Sequence, residues 1–275
     1  MPDAQFQDII YSKAGHRAQI TINRPEVLNA FRKQTYEEFC VACGDASTDS
    51  NIGVLVITGA GKRAFSSGGD VRGYQVPPGE ESRVIGFDAN IYETIRKVTK
   101  PTVAMVRGWC VGGANVMAAE CDLSVASETA MFGQNGPRMG SYNPWGFAYM
   151  SRLVGEKKAR EMWFLCRRYT AQEALAMGLV NKVVPDDQLE AEVDQWCEEI
   201  LSLSPSALEA VKRHFQADSE HIQGYWDLGA QALKWYMESD EAQLLFSLRG
   251  EAVLFLIEAK SSVVARRELL RLLIA

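Results

Sequence analysis

Polar and apolar residues alternate through Gln19-Ile-Thr-Ile-Asn23, the period-two pattern of a strand with one buried face. Asn23-Arg-Pro25 breaks it, and Asn29-Ala-Phe-Arg32 opens an amphipathic helix running toward Ala46. Val54-Leu-Val-Ile-Thr58 is apolar almost throughout, as a strand covered on both faces would be. Gly59-Ala-Gly61 ends it and a turn over Phe65–Asp70 follows. Residues 71–82 are polar and rich in Gly and Pro, the composition of a loop, and carry Arg72 and Tyr74. The pattern then predicts a helix over Asp88–Val98, a buried strand over Thr102–Val106, and a helix of small residues over Ala114–Cys121. Strands follow at Leu123–Ser127 and Ala130–Gln134. Asn135–Gly146 is a polar-aromatic loop, a type that more often carries function than filler. Short helices at Phe147–Val154, Lys157–Arg167 and Ala171–Met177 precede a last strand at Val180–Val184. From Asp186 the pattern is helical, with Pro205 at the first turn of a new helix. The class is therefore α/β: a core over residues 1–200 and a helical region over 201–275.

Two glycine-rich turns stand out. One follows the Thr102–Val106 strand and contains Gly108, Gly112 and Gly113; the other is Ala64-Phe-Ser-Ser-Gly-Gly-Asp70. Glycine lets backbone approach another group closely, and a helix start leaves N–H groups without partners. Such a turn can hold an oxygen that gains negative charge in a reaction. Each turn taken alone is equally well explained as a plain strand–helix connection.

Composition narrows the function. The chain has 275 residues, 47% apolar and 23% charged, with a formal net charge of −6, which argues against a nucleic-acid surface. Its six cysteines are scattered, and Cys40-Val-Ala-Cys43 has no second pair to complete a zinc site. No apolar run is long enough to span a bilayer, so no membrane contact and a cytoplasmic location are expected.

Five segments, taken in order, resemble the crotonase (enoyl-CoA hydratase/isomerase) superfamily: Asn23-Arg-Pro-Glu-Val-Leu-Asn-Ala-Phe31, Ala64–Asp70, Lys100–Asp122, Phe132-Gly-Gln134 and Ala174-Leu-Ala-Met-Gly-Leu-Val-Asn181. The likeness runs from Phe6 to Glu241. It implies a crotonase-like spiral of ββα units, assembled as a homotrimer or homohexamer, acting on an acyl-CoA. Coenzyme A would arrive as part of the substrate, with no covalently bound cofactor. By motif position the oxyanion hole falls to the backbone N–H groups of Gly69 and Gly113. Ser67, Gly68, Asp70 and Gly112 line the substrate in the same turns, with Asp70 also placed to cap the next helix.

Within the family, Phe132-Gly-Gln-Asn-Gly-Pro-Arg-Met-Gly-Ser141 and Gly155-Glu-Lys-Lys-Ala-Arg-Glu-Met-Trp-Phe-Leu-Cys166 resemble two groups. One is 1,4-dihydroxy-2-naphthoyl-CoA synthase, which closes a ring by an intramolecular Claisen condensation. The other is 2-ketocyclohexanecarboxyl-CoA hydrolase, which opens one with water. The resemblance assigns Gln134 and Trp163 to a bicarbonate that acts as base, Tyr74 and Tyr236 to the far end of the substrate, and Ser141 to the reacting carbon. Tyr11, Lys212-Arg213, Phe215 and Ala232-Leu-Lys234 favour the ring-opening group.

Departures from the pattern matter as much. The two glutamates of hydratases fall on Val116 and Gly136, neither able to move a proton. Both ring-chemistry groups carry an aspartate where this chain has Asn143, which hydrogen-bonds but is no base near neutral pH. A silent CoA-binding scaffold is the competing class. The usual C-terminal lysine segment is replaced by a Leu-rich stretch over Ala242–Ala275, read as an amphipathic helix packing on a neighbouring subunit, which leaves Arg32 and Arg72 to meet the CoA phosphates.

Overall fold

The computed structural model describes residues 6–70 and 91–245. Arg72, Tyr74 and most of the Leu-rich C-terminal stretch lie outside the described residues. In chain order the strands are β1 (Ile9–Ala14), β2 (Arg17–Ile22), β3 (Val54–Gly59), β4 (Ala64–Ser66), β5 (Thr102–Val106), β6 (Trp109–Val111), β7 (Leu123–Ser127), β8 (Met131–Gly133), β9 (Arg168–Thr170) and β10 (Lys182–Val184). The helices are α1 (Lys33–Thr48), α2 (Ile91–Lys97), α3 (Gly113–Glu120), α4 (Phe147–Val154), α5 (Glu156–Leu165), α6 (Ala171–Ala176), α7 (Leu189–Leu201), α8 (Pro205–Ser219) and α9 (Gln223–Met237).

Two sheets result. The larger runs β1-β2-β3-β5-β7-β10 and is parallel except for the β1–β2 hairpin. The smaller runs β4-β6-β8-β9, parallel except at β8–β9. Successive turns of chain place one strand in each sheet: β3 then β4, β5 then β6, β7 then β8. This is a ββα spiral. The uninterrupted apolar character of β5 follows from its place, since every one of its residues is buried.

The short strands β4, β6 and β9 escape the sequence pattern because three residues carry no readable period. Helix α1 starts at Lys33, not near Asn29, because Leu28 and Asn29 are left-handed (φ 55° and 56°) and Phe31 bridges to Gly69 in parallel. That detour has a purpose. Asn29 is fully buried; its Nδ2 donates to the carbonyls of Ala60 (3.0 Å) and Ala64 (2.8 Å), and its Oδ1 accepts from Arg24 N (3.0 Å). It ties the segment after β2 to both ends of the β3–β4 connection. Asparagine also tolerates the left-handed backbone better than most residues.

The helical region is pinned to the core at one buried cation. Lys212 of α8 donates to Asp122 Oδ2 (2.6 Å) and to the carbonyl of Lys100 (2.9 Å), while the same Asp122 oxygen accepts from the backbone and hydroxyl of Thr102 at the head of β5. Among the described residues no helix is long and apolar enough to cross a membrane.

Asn29→Ala removes the side-chain partner of the part-buried Ala60 carbonyl, the buried Ala64 carbonyl and the buried Arg24 N–H. Urea unfolding is expected to show a loss of about 2–4 kcal/mol, summed from roughly 1 kcal/mol per buried bond and the penalty for unmet groups. A loss within error of zero would mean that the turn holds itself without the side chain.

Candidate active site

Register brings the two glycine turns together. β4 and β6 pair in parallel with Ser66 opposite Cys110, so each strand releases the chain at the same edge, one to reach Gly69 and the other Gly113. The contact is tight. A Cβ on Gly68, whose φ is +88°, would lie 2.9 Å from both Gly113 N and Val111 O. Only glycine fits that conformation and that approach.

Following the backbone donors through both turns isolates two of them. Ser67 N donates to Leu28 O (2.9 Å), Gly68 N to Ser66 Oγ (3.1 Å) and Asp70 N to Phe31 O (2.7 Å). The parallel bridge at Phe31 uses the peptides on either side of Gly69, so the Gly69 N–H points away from it. In the second turn Gly112 N donates to Gly133 O (2.9 Å), and Gly112 O accepts from Val116 N (3.3 Å). Gly113 is the first residue of α3, where an N–H has no intrahelical acceptor. Among the described residues neither Gly69 N nor Gly113 N has an acceptor.

Three groups close over Gly113. The nearest atoms to the position its Cβ would take are Tyr92 Oη (2.5 Å), Asn143 Nδ2 (3.6 Å) and Gly68 Cα (3.8 Å). Asn143 Nδ2 donates to Tyr92 Oη at 2.8 Å, and Asn143 Oδ1 accepts from Trp145 N at 3.0 Å. Tyr92 stacks obliquely on Trp145, with ring centroids 5.5 Å apart. Behind it lies Tyr36, whose phenol is pushed well above the ordinary range by burial first and by Tyr92 beside it.

A model of the enoyl-CoA hydratase/isomerase family matches residues 13–248, which includes both turns and the wall over Gly113. The chain belongs to this family. Its architecture resembles an enoyl-CoA hydratase from Mycobacterium avium subsp. paratuberculosis K-10, with a TM-score of 0.81 at 28% identity over 89% of this chain and 96% of that one. An enoyl-CoA hydratase/isomerase from Xanthobacter autotrophicus Py2 gives 0.77 at 29% identity over 98% and 97%. A carnitinyl-CoA hydratase from Mycobacterium avium gives 0.79 at 25% identity over 88% and 96%. The crotonase fold is thereby established, and with it a family of acyl-CoA enzymes.

Against that family, the two positions expected to carry glutamates are occupied structurally. Val116 is fully buried in α3, and its Cγ2 stands 2.6 Å from where a Gly146 Cβ would be. Gly136 begins a short turn closed by Ser141 N donating to its carbonyl (2.9 Å), and a Cβ there would meet Ser141 O at 2.7 Å. The carboxyl that α3 does carry, Glu120, sits at its far end and is paired with Arg96 (3.1 Å). Eight residues of helix put it on the order of 10 Å from the glycine turn.

The other sequence candidates fall in three places. Gln134 is buried with its Nε2 donating to Gly112 O (3.2 Å), while Trp163 stacks on Phe147 (5.0 Å) beside Gly146 and keeps a buried Nε1–H with no partner among the described residues. Tyr236 of α9 reaches the 141–145 loop through Tyr142 (6.2 Å between rings); burial first, and then Glu241, raise its phenol above the ordinary value. Arg32 and Asp70 each have a charged partner. Asp70 accepts from both terminal nitrogens of Arg24 (3.2 Å each), and the helix it is expected to cap lies outside the described residues. Arg32 forks onto Asp8 (2.7 Å to each oxygen), and this bond with that of Thr35 outweighs burial to hold the Asp8 carboxyl below its usual range. Arg32 remains half-exposed beyond that fork.

The sequence pattern does not single out Tyr92: the Asp88–Val98 stretch predicts only a helix, although a buried tyrosine needs a partner for its hydroxyl and so marks a polar neighbour.

Gly68→Ala tests whether the turns act as a pair. The added methyl must displace the Gly113 amide or the Val111 carbonyl. Acyl-CoA turnover is expected to fall by about 100-fold or more, as for loss of one backbone donor, with the circular dichroism spectrum retained. Unchanged turnover would separate the close approach from the chemistry.

Proposed function

We propose that this chain stabilises the enolate of an acyl-CoA thioester between the amides of Gly69 and Gly113, and uses it to cleave a carbon–carbon bond in a cyclic β-ketoacyl-CoA. The observation that carries the reading is the pair of unclaimed N–H groups at two turns in van der Waals contact. Two such donors suit a thioester oxygen that becomes charged. Simple hydration needs carboxyl groups where this chain has Val116 and Gly136, which is why we separate it from the hydratases it resembles.

Ring opening proceeds by addition of water to the ring ketone. The carbon–carbon bond to the α-carbon breaks, its electron pair becomes the enolate, and the α-carbon is then protonated. Ser141 and Tyr236 stand on the side of the 141–145 loop, where the second carbonyl would lie. Ring closure by Claisen condensation, as in the naphthoate synthases, runs through the same enolate and is the second reading. What favours it is the buried, unpartnered Nε1–H of Trp163. A donor of that kind fits an anion, and with Gln134 it would hold a bicarbonate, which when bound supplies a base. Exposed Phe215, Leu228 and Trp235 on α8 and α9 support a homotrimer or homohexamer, since apolar side chains in such number suit burial against a second copy.

Incubation with 2-ketocyclohexanecarboxyl-CoA is expected to give a CoA thioester bearing a new carboxylate, detected by mass, with no requirement for added bicarbonate. Turnover of o-succinylbenzoyl-CoA instead, dependent on bicarbonate, would select ring closure. Tight binding of both thioesters without turnover of either would leave the CoA-binding scaffold.

A further inference from the structure

The geometry points to Tyr92 as the catalytic residue that carries the proton to and from the α-carbon of the thioester, in the position left without a carboxylate by Asn143. This inference rests on the enolate reading above.

Three observations support it. First, Tyr92 Oη is the atom closest to the Cβ position of Gly113, so it borders the place where a thioester carbonyl would meet that amide. The α-carbon is the next atom along and lies within reach of the same wall. Second, the orientation of Asn143 is fixed by its neighbour. Its Oδ1 is occupied by Trp145 N–H (3.0 Å), so the group at 2.8 Å from Tyr92 Oη is the amide nitrogen, a donor. An aspartate in the same place would accept the tyrosine proton; asparagine instead makes the tyrosine oxygen the acceptor. Third, Tyr36 stands beside Tyr92 on the buried side, and burial first, then Tyr92, hold its own proton firmly. An N–H directed at that oxygen can stay bonded to it before and after the phenol proton moves.

The electron count closes. In ring opening the enolate pair forms the new C–H bond as the Tyr92 O–H bond breaks, leaving a tyrosinate that accepts from Asn143 N–H. The added water contributes its hydroxyl to the new carboxyl and its proton restores the phenol. Run backwards from the tyrosinate, on a thioester without a second carbonyl, the same step moves an α-proton onto the Tyr92 oxygen and leaves the enolate.

That reverse step gives the test. Cyclohexanecarboxyl-CoA has an α-proton but no ring ketone, so in D2O it can exchange and cannot turn over. NMR is expected to show α-exchange with the wild-type protein, a loss of about 100-fold or more in Tyr92→Phe, the size typical of a general acid–base group, and unchanged thioester binding. Wild-type exchange rates in Tyr92→Phe would overturn this assignment and leave the enolate reading standing. Absence of exchange in the wild-type protein, with the thioester bound, would overturn both.

Discussion

The approach of Gly68 to the Gly113 amide is the contact on which the rest of the molecule depends. A side-chain atom at Gly68 would sit 2.9 Å from that nitrogen, so the two turns lie as close as backbone allows. Nothing local enforces this. β4 and β6 are three residues each, too short to hold register by themselves. Register comes from the larger sheet, where β3 and β5 pair in parallel, and from Asn29, which binds the chain on both sides of Gly61. The spiral is thus a device for placing two peptide N–H groups, and its apolar strands are the means.

Much of this architecture can be read along the chain, for a physical reason. β5, β7 and α4 coincide with the predicted Thr102–Val106, Leu123–Ser127 and Phe147–Val154, because burial on one or both faces writes itself into five or more consecutive residues. In the second sheet β8 falls within the predicted Ala130–Gln134, while β4, β6 and β9 leave no such trace. Nor does the left-handed pair Leu28–Asn29, which delays α1 to Lys33. The glycine turns were visible as composition, but their contact is a matter of parallel register and so belongs to tertiary structure.

The same distinction explains Tyr92. In sequence it is one aromatic residue on the buried stripe Ile91, Tyr92, Ile95 of α2. The residues around it come from α1, through Tyr36, and from the loop after β8, through Asn143 and Trp145. No spacing within one segment encodes a meeting of three. What the sequence did show was the vacancy: an asparagine where a carboxylate was expected. The structure shows what that asparagine touches.

This changes the meaning of Asn143. Viewed alone, replacement of an acid by its amide removes a base and suggests a chain that binds CoA without acting on it. Viewed with Trp145 N–H on its oxygen, the amide has one free polarity to offer, and it offers N–H to a tyrosine. An amide held in that way is poorly explained by decay, since a relic position has no reason to keep both halves of its side chain satisfied in a partly buried wall. Hydrogen-bond polarity, fixed by a single backbone donor two residues along, decides which neighbour can move a proton. The family fold fixes where charge collects, at the glycine amides, while the identity of the proton carrier is left to the side chains that the α2 helix and the 141–145 loop happen to bring over it.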